Sequence, residues 1–276
     1  MRIFDSICDI VETLWYEEQT KCVICHGRKD MANQTSSGNQ ASSVCRICQD
    51  AYFLPDMARC WRCGKLIPQA HTQAHTQGSE ENSAKGLICW DCQVGRGPRS
   101  LARVTVLGHF HGGWRDFIHT VKYRRNPHLL TFVAEEACRW AGGRLPVPDV
   151  ITAIPMHEEK LRERGFNQAQ VLASLMAWRL AVPYRPLMER ERPNVAQMGL
   201  DRRARLRNVD RVFRLHEESW EMGRLQGRVC WLIDDVTTTG ATLEQGARVL
   251  LAGGAERVYG FCLAAALGAV GEHPSL

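Results

Sequence analysis

Apolar residues along this chain fall into two alternating periods. Val229 to Ile233 runs without a polar break, the pattern of a short strand buried on both faces. Just beyond it, Leu243, Ala247, Leu250 and Leu251 recur at helical spacing. The alternation reaches back to Val104. Val104 to Phe110 reads as a weakly alternating strand and Trp114 to Lys122 as a helix. Leu129, Leu130, Phe132, Val133 and Ala137 mark a second helix ending near Gly142 and Gly143. Asp149 to Ile154 predicts a strand stopped by Pro155. Gln168 to Leu180 predicts a helix with Val171, Leu172, Leu175 and Leu180 on one side. Val229 to Val236 and Arg257 to Ala264 complete the strands. Strands alternating with helices predict an α/β fold, a parallel sheet covered on both faces. Ligands of such sheets bind at the carboxyl ends of the strands.

Residues before about Gly97 show no such pattern and carry too little aliphatic mass for a core of their own. They carry cysteines instead. Eight of the twelve cysteines form four Cys-x-x-Cys pairs: Cys22 and Cys25, Cys45 and Cys48, Cys60 and Cys63, Cys89 and Cys92. A tight turn lets both sulfurs of a pair point at one ion, and Zn²⁺ takes four such ligands in a tetrahedron. The pairs therefore predict two closed, structural zinc sites. A redox centre would need one pair beside a strand–helix unit. Pairing in chain order is simplest, and interleaved pairing stays open. The long polar loops Met31–Ser43 and Gln69–Lys85 suit ends tied by a metal. His71 and His75, in a short direct repeat, read as solvated loop residues. Cys8, Cys138, Cys230 and Cys262 read as small buried ones. The expected division is a double zinc ribbon over residues 1–97 and an α/β domain over 98–276.

With 276 residues the chain has room for one ordinary domain and a small one. A net charge of +5 is too mild to demand nucleic acid. The charge is local, however: Arg202, Arg203, Arg205, Arg207, Arg211 and Arg214 crowd one stretch and point to an anion site. Asp5, Asp9 and Glu12 interrupt any secretory signal core, and no apolar run nears the ~20 residues that cross a bilayer, so a cytoplasmic protein is expected. Ile3, Ile7, Ile10, Val11 and Leu14 predict a short amphipathic docking helix.

The segment after Ile233 concentrates the chemistry. Asp234 and Asp235 close the strand, and Thr237 to Thr242 form a loop of hydroxyls around Gly240. First-turn amides of a helix lack partners, and its dipole favours an anion. Thr238, Thr239 and Thr242 add donors, and Gly240 admits close backbone approach. Asp234 and Asp235 suit the hydroxyls of a ribose ring, directly or through Mg²⁺. The layout predicts a sugar-phosphate site. A plain threonine-capped turn needs one hydroxyl, not an acidic pair followed by this run.

The stretch from Ile233 to Thr242 resembles the phosphoribosyl-pyrophosphate (PRPP) motif of type I phosphoribosyltransferases. Other stretches narrow the resemblance to the ComF/GntX family: Ile154-Pro155, Arg162-Glu163-Arg164-Gly165-Phe166-Asn167-Gln168-Ala169, and Lys122-Tyr123-Arg124. Gln197, Leu200, Arg205, Arg207-Asn208, Phe213 and the cysteine-rich start belong to the same pattern, which covers nearly the whole chain. The resemblance implies a parallel-sheet type I phosphoribosyltransferase fold with a small N-terminal zinc-ribbon domain. It implies PRPP bound by Asp234, Asp235, Thr238, Thr239, Gly240, Ala241 and Thr242, with Asp234 and Asp235 catalytic and Mg²⁺ between ribose and pyrophosphate. Pro155, Met156 and His157 would meet the pyrophosphate, joined by Arg164 and by Arg205 from a mobile loop over Arg190–Arg214. Lys122 and Arg124 are a third basic contribution. No motif names an acceptor, so three readings stand: phosphoribosyl transfer, PRPP sensing without turnover, and handling of single-stranded DNA in natural competence or DNA use. In the last, Trp61 and Trp90 would stack on bases and competence or DNA-processing proteins would be partners.

Overall fold

The computed structural model describes residues 22, 25, 27, 45–48, 51, 58–67, 87–123, 127, 129–190, 212–216 and 225–265. The amphipathic start, both long polar loops with His71 and His75, and Arg124 lie outside them, as do 191–211 with Arg205.

In chain order the α/β part runs β1 (Arg103–His109), α1 (Gly112–Tyr123), α2 (Leu129–Gly142), β2 (Val150–Ala153), α3 (Glu158–Arg164) and α4 (Gln168–Arg179). It continues with β3 (Met188–Arg190), β4 (Phe213–Leu215), β5 (Val229–Thr237), α5 (Ala241–Ala252) and β6 (Arg257–Ala265). Four strands form a parallel sheet in the order β1-β6-β5-β2. The apolar runs are explained by cover on both faces. Trp231 and Ile233 of β5 and Phe261 and Leu263 of β6 pack with α1, α2 and α4. Cys230, Leu232, Val258 and Cys262 pack on the other face with Leu243, Ala247 and Leu250 of α5. Helix α5 lies close to the sheet because of Gly246, where a Cβ would stand 2.9 Å from Leu232.

The predicted α/β elements are present, with three differences. Strand β5 does not stop at Val236: β6 extends alongside it to Ala265, so the ladder carries on to Thr237 opposite Ala265, and the acidic pair lies within the strand. Between β2 and α4 the sequence pattern marks no element, and Glu158 to Arg164 form α3, capped at its start by His157 and ended by Gly165 at φ 83°. The Arg190–Arg214 segment, expected as a loop, has strand at both ends. Arg190 pairs with Phe213 and Glu189 with Arg214, and their side chains are joined by an Arg214–Glu189 ion pair of 2.8 Å.

The cysteine part sits against β1. Residues Cys60 to Lys65 form a tight knuckle: the Cys60 amide donates to Lys65 O and the Gly64 amide to Cys60 O, both at 2.8 Å. The Val104 amide donates to Arg62 O at 2.8 Å, so an edge-strand amide is satisfied by the knuckle. Arg59 reaches Val106 O at 3.4 Å and stands 5.1 Å from the Trp140 ring centre, while Arg144 stands 3.4 Å from the same ring. Burial and the Arg144 charge lower the Arg59 pKa to about 10, which leaves it a cation at neutral pH.

Candidate functional site

The carboxyl ends of β2 and β5 are adjacent, with Ala153 opposite Ile233 and the Ile154 amide donating to Ile233 O at 2.9 Å. Pro155, Met156 and His157 therefore leave the sheet beside Asp234 and Asp235, as the sequence predicts. Asn167 braces this corner. Its Nδ2 donates to Ile154 O at 2.9 Å, while its Oδ1 caps α4 by accepting from the Ala169 amide at 3.0 Å. His157 Nδ1 accepts from the Glu159 amide at 3.3 Å, so this histidine serves as a helix cap.

The two aspartates face opposite ways because side chains alternate along a strand. Asp235 shares the face of Trp231 and Ile233, and there Lys122, in the last turn of α1, meets its Oδ2 at 2.6 Å. Lys122, expected as a further basic contribution, is thus held by Asp235. The Asp235 amide donates to Asp234 Oδ1 at 2.8 Å, and the Val236 amide to Asp235 Oδ1 at 2.7 Å. Asp234 is half-buried. Burial, then the neighbouring Asp235 charge, raise its pKa to about 7, against the opposing pull of the Asp235 amide and Lys122. The position therefore favours a proton, a cation or a hydroxyl donor.

Beyond Thr237 the chain turns sharply. Gly240 is the N-cap of α5 at φ 82°, a conformation open to glycine at little strain. The Glu244 amide donates to Gly240 O at 2.8 Å, the first bond of the helix. Thr239 Oγ1 accepts from the Ala241 amide at 3.3 Å. Thr238, Thr239, Ala241 and Thr242 are exposed, so hydroxyls and first-turn amides open to solvent around the turn. The cap is glycine and not threonine, which leaves the hydroxyls of Thr238 and Thr242 on the surface for a ligand.

The Arg164 guanidinium stands 5.7 Å from the ring centre of Tyr123, the residue after Lys122, and His119 lies 4.3 Å from the same ring. The structure thus joins the Lys122-Tyr123 stretch to the Arg164 stretch at one wall of the site. Glu244, absent from the expected site, fixes the segment before β1 to α5 through bonds from Arg99 and Ser100. No spacing rule could have found it, since 145 positions separate Arg99 from Glu244.

The eight paired cysteines gather into two groups, Cys22, Cys25, Cys45 and Cys48, and Cys60, Cys63, Cys89 and Cys92, each with sulfurs within 4.8 Å of one another. Pairing in chain order is therefore the one observed. Zn–S bonds of about 2.3 Å at tetrahedral angles put sulfurs about 3.8 Å apart. Cys25 and Cys45 stand at 3.8 Å and Cys63 and Cys89 at 3.5 Å, so both groups fit a zinc ion. Cys230 and Cys262 are buried in the sheet, and Cys138 is half-buried with its pKa pushed up to about 12 by burial, as expected of structural thiols. Among the described residues no helix is long and apolar enough to cross a membrane.

No protein-family model matches the chain. It is 28% identical over 228 residues to the DNA utilization protein YhgH of Escherichia coli, covering 80% of this chain and 89% of that one. It is 24% identical over 254 residues to Competence protein F of Haemophilus influenzae, covering 89% and 97%. It is 30% identical over 242 residues to Competence protein ComFC of Bacillus subtilis, covering 80% and 93%. Among solved structures, a glutamine PRPP amidotransferase from B. subtilis aligns at TM-score 0.38 and 16% identity. It covers 52% of this chain, which spans about 30% of that enzyme's length. An adenine phosphoribosyltransferase from Thermoanaerobacter pseudethanolicus aligns at TM-score 0.33 and 15% identity, covering 52% and 83%. Such scores are too low to add to what the strand order already shows.

Proposed function

This chain belongs to the ComF family, and from that premise we propose that it binds PRPP at the carboxyl ends of β2 and β5. The observation that carries this reading is the acidic pair, with Lys122 on Asp235, set directly before the Gly240 turn and the open first turn of α5. The 5′-phosphate would rest on the amides and hydroxyls of Thr238 to Thr242. The ribose hydroxyls would donate to Asp234 and Asp235, whose raised proton affinity at Asp234 marks a place that welcomes a donor. Pro155, Met156 and His157 would border the pyrophosphate, with Arg205 as a further candidate. Mg²⁺, bound between ribose and pyrophosphate, would supply charge neutralisation as the leaving group departs. The chain's own part is positioning and electrostatics: acids hold the ring while amides hold the phosphate. The unit before residue 98 would be a structural zinc ribbon. Calorimetric titration with PRPP and Mg²⁺ tests the reading. Saturable binding that ribose 5-phosphate competes with is expected, and a flat titration would sink it. Pyrophosphate release on adding nucleobases separates a phosphoribosyltransferase from a PRPP sensor.

A second reading, contact with single-stranded DNA, has its own observation. Trp90 is 62% exposed on the second cysteine unit, Arg62 lies 5.7 Å from the Trp61 ring centre, and Arg96 and Arg99 are exposed nearby. Aromatic faces beside cations suit stacked bases and their phosphates. Relatives named for DNA utilization and competence agree with work on DNA. Fluorescence anisotropy with a short labelled single strand should show affinity that falls as salt rises and weakens in Trp90→Ala. Binding indifferent to both would remove this reading.

A further inference from the structure

The segment between the second cysteine group and β1 is wound tightly from the metal ligands to the start of α5. Lys65, on the first knuckle, makes a 2.8 Å ion pair with Asp91 on the second. The Asp91 carbonyl accepts from the Arg96 amide at 2.7 Å and the Gly97 amide at 3.0 Å. Gly97 lies so near Cys92 that a side chain there would collide with the cysteine sulfur. The next residue, Pro98, is buried against the turn before α5: a Cβ on Gly240 would stand 3.2 Å from its Cδ. Then Arg99 and Ser100 are clamped. Their amides both donate to Glu244 Oε2 at 2.8 Å, and Ser100 Oγ donates to Oε1 at 2.8 Å. Arg248 Nε completes the set at 3.0 Å. Burial opposes the charge on Glu244, but the bonds from Ser100, Arg99 and Arg248 outweigh it and hold the carboxyl below its ordinary range.

A ligand on Thr238 to Thr242 and a metal on Cys60 to Cys92 thus bear on opposite ends of one short, fully bonded segment. We propose that Glu244 is a positioning residue that makes the second cysteine group and the phosphate turn one coupled unit. Metal on the cysteines holds Pro98 over Gly240 in the shape that takes a phosphate, and a bound phosphate slows loss of the metal. Linkage requires the effect to be mutual. The element with two arrangements is the Gly95–Ser100 segment, docked by Glu244 or released. The ligand half of this proposal rests on the PRPP site described above. The metal half does not.

The test follows zinc release from the full-length protein to the chromophoric chelator 4-(2-pyridylazo)resorcinol. The phase that persists in Cys25→Ser belongs to the second group. In the native chain, PRPP with Mg²⁺ should slow that phase about fivefold or more, the usual size of such coupling. Glu244→Ala should speed it without ligand and lose the PRPP protection. Ser100→Ala, which removes one bond of the clamp, should fall between. Glu244→Gln, which keeps an acceptor oxygen, should recover part of the effect. Release from the first group should stay the same throughout. Circular dichroism identifies any variant that has lost its fold, and Ser100→Ala decides if Glu244→Ala has. The coupling is refuted if ligand-free release is unchanged in both variants, or if PRPP protects Glu244→Ala as well as the native chain. Absence of PRPP binding to the native chain would instead refute the PRPP site, and the ligand-free arm would still judge the clamp.

Discussion

Asp234→Asn should stabilise the ligand-free protein at pH 8 and weaken PRPP binding about tenfold or more. The two effects have one cause. The folded-state pKa of Asp234 is raised from 3.8 to about 7 by burial and by Asp235. A raised value means that folding favours the protonated carboxyl. Its contribution is therefore greatest below pH 3.8, declines as the pH rises to about 7, and stays at its least favourable value above that. Asparagine keeps the oxygen that accepts the Asp235 amide at 2.8 Å but never ionises. Above pH 7 it should return on the order of 1–3 kcal/mol, after allowance for the partial exposure of the site. That corresponds to a melting temperature raised by a few degrees. Below about pH 4 the gain should vanish, because both chains are then neutral at this position. Binding should suffer because a charged acceptor for a ribose hydroxyl becomes a neutral one, a loss of about 1.5–3 kcal/mol. Thermal melts of both proteins from pH 4 to pH 8 without Mg²⁺, with a PRPP titration at pH 8, measure the pair of effects. A variant less stable at pH 8, or one that binds PRPP as the native chain does, contradicts the assignment.

Removing metal from the second cysteine group should unravel residues 58–67 and 87–101 and uncover the edge of β1. Among the described residues, and apart from its four cysteines, that unit's own core has a single buried apolar side chain, Ile67, with Ala58, Leu87 and Ile88 partly buried around it. So small a cluster cannot offset the entropy of ordering the segment, about 1–2 kcal/mol per residue for the backbone alone. A structural zinc site supplies about 10–16 kcal/mol in small-peptide settings, which can. Once the knuckle is released, the Val104 amide loses Arg62 O and Glu244 loses its hold on Arg99 and Ser100. Cys63→Ser should therefore lower the metal content from two ions to one, speed amide exchange across 58–67, 87–101 and the Val104 position, and leave exchange at β5 within severalfold. Metal analysis with hydrogen-exchange mass spectrometry reads both changes. Full metal content or native protection of the knuckle in that variant would show that the cysteines are not its support.

The α/β elements were legible because each is a pattern inside one element. Leu243, Ala247 and Leu250 sit one helical turn apart and face one sheet, and β5 reads as continuously apolar because both its faces are covered. The cysteine pairs and the run from Asp234 to Thr242 are local in the same sense. Helix α3 was missed because its seven residues bury no side chain and so show no apolar stripe. The β3–β4 pairing was missed because three-residue strands carry too few positions to display alternation.

What the chain determines by itself is the order of strands and helices, the thiolate pairs and the chemistry of one strand-to-helix turn, since all of these are read over neighbouring residues. Only the folded molecule decides which pair joins which across 20 residues or more, that Lys122 is held by Asp235, that Arg164 stands by Tyr123, and that Glu244 clasps the segment leading from the cysteines. Those choices rest on packing and on competition among many equally charged or polar candidates far apart in the chain. Sequence spacing carries no information about which of them wins.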